Sequence, residues 1–107
     1  MGEFDKREKG EEGKFVFDAE TRFKAEARRN KLLGLWAAQL MGITGDEATN
    51  YAMEVVKSDL EEVGEEDVFR KIRGDFDARN IEQSDHQIRR EMEQLMATAV
   101  KQIAEQS

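Results

Sequence analysis

Apolar residues return every three or four positions through four stretches of this chain, and no proline interrupts any of them. That spacing puts them on one side of an α-helix; a strand would need a repeat of two. The first stretch covers residues 18–41. Phe23 and Ala27 stand four apart, as do Leu32, Trp36 and Leu40, and Leu33, Ala37 and Met41 repeat the interval. Arg22, Glu26 and Arg29 are expected on the more polar side. Gly42 is a natural stop, because glycine enters the left-handed region that closes a helix.

Three further helices are expected at about 45–63, 66–79 and 85–105. Thr44-Gly45-Asp46-Glu47 has the form of a capping box, a hydroxyl followed three residues later by a carboxylate. The second helix places Ala48, Tyr51, Ala52, Val55 and Val56 at core spacing, then Leu60 and Val63, and Gly64 closes it. Glu65, Glu66 and Asp67 put negative charge at the start of the third, which suits its dipole. The third buries Val68, Phe69, Ile72 and Phe76. Ser84-Asp85-His86-Gln87 forms a second capping box, and Ile88, Met92, Leu95, Ala99 and Ile103 lie on one stripe of the fourth helix. Short connections between amphipathic helices predict an all-α four-helix bundle over 18–107. Its expected core is Phe23, Leu32, Trp36, Tyr51, Val55, Phe69, Ile72, Ile88 and Leu95.

Composition removes several classes of function. The chain has no cysteine, which excludes a disulfide framework and thiolate metal sites and fits a reducing compartment. No apolar run approaches the ~18 residues a membrane span needs, and the charged start lacks a signal peptide's apolar segment. A cytoplasmic protein with no direct membrane insertion is expected. The net charge of −7 is concentrated in residues 42–83, which hold twelve acids and five bases, whereas residues 18–41 hold five bases and three acids. Such an acidic middle disfavours nucleic acid, whose binding rests on neutralising phosphates.

No catalytic set emerges. His86 is the single histidine and stands beside a cap residue, so a two-imidazole metal site cannot form. Gly10-Glu11-Glu12-Gly13-Lys14 has the wrong spacing for a phosphate loop, and Phe15 replaces its hydroxyl residue. Glu61, Glu62, Glu65, Glu66 and Asp67 offer oxygens to a divalent cation, but helix-end electrostatics and a solvated face explain them more simply. No metal site, cofactor or enzymatic activity is expected. Residues 1–17 carry too little apolar surface to offset ordering, so a disordered or frayed arm is expected ahead of the bundle. Within it Phe4, Arg7, Glu8, Glu11, Lys14 and Phe15 recur at intervals of three and four, and would share one side if the arm became helical.

The run Arg28-Arg29-Asn30-Lys31-Leu32-Leu33-Gly34-Leu35-Trp36-Ala37-Ala38, which joins a basic patch to the only tryptophan, resembles the zeta inhibitor subunit family of alphaproteobacterial F-type ATP synthases. Phe4-Asp5, Arg7-Glu8 and Lys14-Phe15 in the arm are similar too, as are Asp67-Val68-Phe69-Arg70-Lys71-Ile72 and Arg89-Arg90. The resemblance implies a non-enzymatic regulator bound to the catalytic head of the synthase on the cytoplasmic side of the inner membrane. Its arm would enter a catalytic interface and block ATP hydrolysis and reverse rotation. The inhibitory role then falls on Phe4, Asp5, Arg7, Glu8, Lys14 and Phe15. Gly10 and Gly13 depart from the family's helix-favouring pattern, and each should cost an induced helix about 0.5–1 kcal/mol. The alternative reading is a nucleotide-binding helical sensor or adaptor domain. It would hold an adenine nucleotide weakly in a cavity between helices, with Arg and Lys of the first helix on its phosphates.

Overall fold

The computed structural model describes residues 17–59 and 65–106. They form α1 (Ala19–Leu40), α2 (Gly45–Ser58), α3 (Glu66–Ala78) and α4 (Asp85–Gln106), with no strand among the described residues. α1 is the hub. It packs against α2 and α4 along much of its length and touches α3, while α3 also bridges α2 and α4.

Local chemistry sets the helix ends. The Asp18 carboxylate accepts a hydrogen bond from the Thr21 N–H at 2.8 Å and caps α1. That bond, made to its charged form, holds the Asp18 carboxyl below its ordinary value. At the far end Gly42 takes φ +77°, the Gly42 N–H reaches Gln39 O at 3.2 Å and the Ile43 N–H reaches Ala38 O at 2.8 Å. This double closure is the Schellman motif. α3 repeats it with an asparagine: Asn80 lies at φ +58°, and the Ile81 N–H bonds Phe76 O at 2.9 Å. In both cases the isoleucine after the left-handed residue packs back on the core.

Of the two expected capping boxes, only the second forms. Gln87 N–H donates to Ser84 Oγ at 3.1 Å, and Ser84 N–H donates to Gln87 Oε1 at 2.8 Å. Thr44 makes no side-chain cap bond. Gly45, the first residue of α2, sits at φ +63°, outside the right-handed region, so the turn that would carry an N–H to the Thr44 hydroxyl is not made. α2 also ends at Ser58 and not at 63. The Ser58 hydroxyl bonds Val55 O at 2.6 Å, and the Asp59 N–H closes a tight turn on Val56 O at 3.3 Å. Such local bonds compete with helix continuation. Leu60 and Val63 lie outside the described residues.

The core joins Leu33, Ala37 and Ala38 of α1 to Tyr51 and Val55 of α2, Val68, Phe69, Ile72 and Phe76 of α3, and Ile88 and Met92 of α4. Trp36 is half-buried and meets Phe76 edge-on, ring centres 5.7 Å apart. Leu95 is likewise half-buried against this cluster.

The face of α1 differs from expectation. Phe23 is 60% exposed and is not a core residue. Leu32 is only partly buried, and Leu40 is exposed. The inward stripe is instead Ala25, Arg29, Asn30, Leu33, Gly34, Ala37 and Ala38. Arg29, expected on the polar side, is only 4% exposed, and Asn30 is fully buried. The reason is closeness. A helix flanked on two sides must present small residues where backbones meet. At Gly34 an added Cβ would stand 2.6 Å from Ala52 Cα.

Candidate functional site

The arm residues singled out from the sequence, Phe4, Asp5, Arg7, Glu8, Lys14 and Phe15, lie outside the described residues. The structure does describe the point from which the arm departs. Phe17 is half-exposed, and the Arg22 guanidinium stands over its ring, 5.6 Å from the centre. Phe17, Asp18, Arg22, Phe23 and Glu26 line a shallow hollow there.

Beyond that hollow, the inward turn of α1 carries a polar node that the pattern of apolar spacing did not reveal. Arg29 Nε donates to Asn30 Oδ1 at 2.7 Å, and Arg29 Nη1 pairs with Glu65 Oε1 at 3.3 Å. One guanidinium thus ties α1 to the start of α3. Nearby, Asp59 Oδ1, Asp67 Oδ2 and Asn30 Nδ2 are buried and lack a hydrogen bond of normal geometry. Asp67 pairs with Arg70 through its other oxygen. Burial pushes the Asp59 carboxyl above its ordinary value of 3.8; Asp67 and Glu65 push the same way, against the Asn30 amide and Arg29.

A pH dependence follows. A carboxyl whose native pKa is raised holds its proton more tightly folded than unfolded. Its stabilising contribution is full below 3.8 and is lost as pH rises through the higher native value. At neutral pH the Asp59 charge therefore works against the fold, the more so at a helix C-terminus. Asp59→Asn is expected to raise the melting temperature at neutral pH by a few degrees, and the gain should vanish in acid near the unfolded pKa. A lowered melting temperature at neutral pH would contradict this account of the node.

The acidic run considered as a cation site is committed elsewhere. Glu65 pairs with Arg29, Glu66 with Arg89 at 3.2 Å and Asp67 with Arg70. Glu61 and Glu62 lie outside the described residues. Among the described residues no three His, Asp or Glu side chains gather in a way that could hold a metal ion.

Two grooves flank α1. The first, about 770 Å³, lies against α4 and the start of α3. Arg29, Arg89 and Arg90 line it, with Glu26, Glu65 and Glu93 between them and Met92 and Met96 at its floor. The Arg89 guanidinium lies 4.0 Å from the centre of the Phe69 ring, a cation–π contact at the solvent-exposed edge of the core. His86 reaches this groove from the exposed first turn of α4. The second groove, about 600 Å³, lies between α1 and α2 and ends on the last turn of α4. Phe23, Met53, Val56 and Ile103 supply its apolar lining, and Lys24, Arg28 and Lys31 its basic edge.

A separate cluster joins α2 to α3. The Tyr51 hydroxyl donates to Asp75 Oδ2 at 2.6 Å, and Lys71 Nζ reaches the same oxygen at 3.0 Å and Glu54 at 3.3 Å. Burial and the adjacent carboxylates push the Tyr51 hydroxyl far above its ordinary value. The phenol is a fixed donor, not a titrating group.

No helix among the described residues is long and apolar enough to cross a membrane. Comparison with curated proteins finds no match. A solved solution NMR structure is similar, with 51% sequence identity over 80% of this chain and 98% of that chain, and a TM-score of 0.71. The model of the family described as ATPase inhibitor subunit zeta matches residues 1–102.

Proposed function

This chain belongs to the ATPase inhibitor subunit zeta family, and on that premise we propose that it is a brake on ATP hydrolysis by the catalytic head of an F-type ATP synthase. The family is regulatory rather than catalytic. In this reading the helical body docks outside the head, on the cytoplasmic side of the inner membrane. The arm then inserts at a catalytic interface, where it opposes reverse rotation. The observation that carries the reading is the extent of the family match, which takes in the arm, the first three helices and most of the fourth.

The arm's energetics follow from its composition. Ordering a backbone costs about 1–2 kcal/mol per residue, and Gly10 and Gly13 add to that. Recovery must come from a few well-buried anchors. Phenylalanine and arginine are suited to the task, since aromatic and guanidinium groups dominate interface energetics. Phe4 and Phe15 would fill apolar pockets, Arg7 and Lys14 would meet carboxylates, and Asp5 and Glu8 would meet basic groups.

The test is ATP hydrolysis by the purified head as the protein is added. Phe4→Ala and Arg7→Ala are each expected to raise the half-inhibiting concentration about tenfold or more, equivalent to ~1.4 kcal/mol. Lys9→Ala, off the shared side of the arm, should change it less than threefold. Equal potency of all three variants and the wild type would dismiss the arm as the inhibitory element.

A second reading is favoured by one feature, the convergence of Arg29, Arg89 and Arg90 on a groove with a methionine floor. An adenine nucleotide could place its base on Met96 and its phosphates toward the exposed Arg89 and Arg90. The reading ranks lower because Glu26, Glu65 and Glu93 share the groove and repel phosphate. Millimolar ADP that leaves the amide resonances of Arg89 and Arg90 unmoved would remove it.

A further inference from the structure

Two of the large apolar side chains that the fold leaves exposed face the same place. Phe23 is 60% exposed and Met53 44% exposed, and both line the groove between α1 and α2, above Val56 and Ile103. Nothing in the packing of the bundle requires them: α1 buries a different stripe, and Met53 is not among the buried residues of α2. Exposed apolar groups gathered in one concave site, and not scattered singly, mark a binding surface.

The charge around this groove is opposite in sign to that of the whole. The chain carries −7, yet the edge of the groove is formed by Lys24, Arg28 and Lys31. Arg28 is held by neutral amides, Gln102 Oε1 at 3.3 Å and Gln106 Oε1 at 3.2 Å, so its charge is not cancelled by them. Among the described residues Lys24 has a loose, exposed pairing with Glu20 at 3.5 Å, of the kind worth little. The amides fix the Arg28 guanidinium at the edge of the groove before anything binds. Position adds a further point. Phe23 lines both this groove and the hollow around Phe17, so the surface runs without a break to the root of the arm.

We infer that this groove is where the helical body docks on the ATPase head, and that its occupant is a segment of the head with apolar side chains on one face and carboxylates beside them. The inference rests on the proposed braking function and specifies its second contact. Apolar side chains enter between Phe23 and Met53, while the carboxylates meet Lys24, Arg28 and Lys31. A concave site of this volume takes individual side chains, which suits a protein segment better than a lipid surface. The contact also explains how an arm weakened by two glycines can act. Holding the body against the head converts insertion of the arm into an intramolecular step at high effective concentration.

The test uses the full chain and the purified head, with the dissociation constant measured at low and high salt. Phe23→Ser and Lys31→Glu are each expected to weaken binding at least tenfold without lowering the melting temperature, since both positions are exposed. Leu35→Ser, which removes an exposed apolar group outside the groove, should bind like the wild type. Wild-type affinity should fall with salt, and that of Lys31→Glu should fall less. If the wild type binds and inhibits while Phe23→Ser and Lys31→Glu match it, the groove is not the docking surface, although the brake stands. If the wild type does not bind the head at all, the braking function fails and this inference with it. Phe23-dependent binding to phosphatidylglycerol vesicles but not to the head, or a Phe23-dependent dimer in sedimentation, would overturn the assignment in favour of lipid or of a second copy.

Discussion

Phe76→Ala is expected to lower the stability of the bundle by about 3–5 kcal/mol, the usual range for truncating a fully buried aromatic side chain. Phe76 has no exposed surface and is among the largest fully buried side chains of the described residues. Its ring supports Trp36 edge-on, so truncation removes both its own burial and a specific aromatic contact. Its carbonyl also accepts the Ile81 N–H in the closure of α3. The cavity left behind would border Ile72, Trp36 and the packed end of that helix. For a domain of this size the loss corresponds to roughly 15–25 °C in melting temperature. Thermal melts followed by circular dichroism and by Trp36 fluorescence should shift together. A shift of under ~5 °C would mean that the α1–α3 contact is not central to the core.

The second large effect is expected at Gly34, where substitution normally helps a helix. Alanine in a helix interior is favoured over glycine by about 0.5–1 kcal/mol. Here the new Cβ would lie 2.6 Å from Ala52 Cα, 3.2 Å from Ala52 Cβ and 3.2 Å from Val55 Cγ2. The nearest atom is backbone, so no side-chain rotation relieves the clash and α1 and α2 must separate. Overpacking of this kind costs about 1–3 kcal/mol, which outweighs the gain in helix propensity. Gly34→Ala should therefore melt lower than the wild type. Gly74→Ala is the control: a Cβ there meets nothing within 4 Å, and its effect should be neutral or stabilising. A more stable Gly34→Ala protein would show that the helices approach less closely than described.

These two positions illustrate what could be read from the chain. Phe76 was legible because α3 is amphipathic and packs one face inward, so spacing alone places Val68, Phe69, Ile72 and Phe76 together. The Ser84–Gln87 capping box was legible because it is local, a matter of two side chains and two N–H groups on neighbouring residues. α1 was misread for the opposite reason. Spacing points its largest apolar residue near the start, Phe23, inward, whereas a helix with neighbours on two sides presents alanine and glycine at the contacts. The distance between α1 and α2 that makes Gly34 matter is not a property of either helix by itself. Arg29 and Asn30 were hidden similarly: they are polar by type, and it is their mutual bond and the approach of Glu65 at the start of α3 that let Arg29 be buried. The shortened α2 was concealed by apolar spacing that continues through Leu60 and Val63, while a single hydroxyl, that of Ser58, bonds back to Val55.

The candidate site divides along the same line. The arm residues are proposed on the strength of the family resemblance, since a short charged segment with three phenylalanines has no spacing that names its partner. The groove of Phe23 and Met53 was not legible, because periodicity sorts residues into faces and does not say which face finds no partner within the fold.

The central claim is that the helical body stands by itself and the first seventeen residues carry the inhibition. Its most direct test compares full-length protein with a chain of residues 18–107 in the same hydrolysis assay on the purified head. The account predicts that the shortened chain keeps its helical circular dichroism and melting temperature but leaves ATP hydrolysis unaffected at concentrations where the full chain stops it. Equal inhibition by the two chains would contradict it.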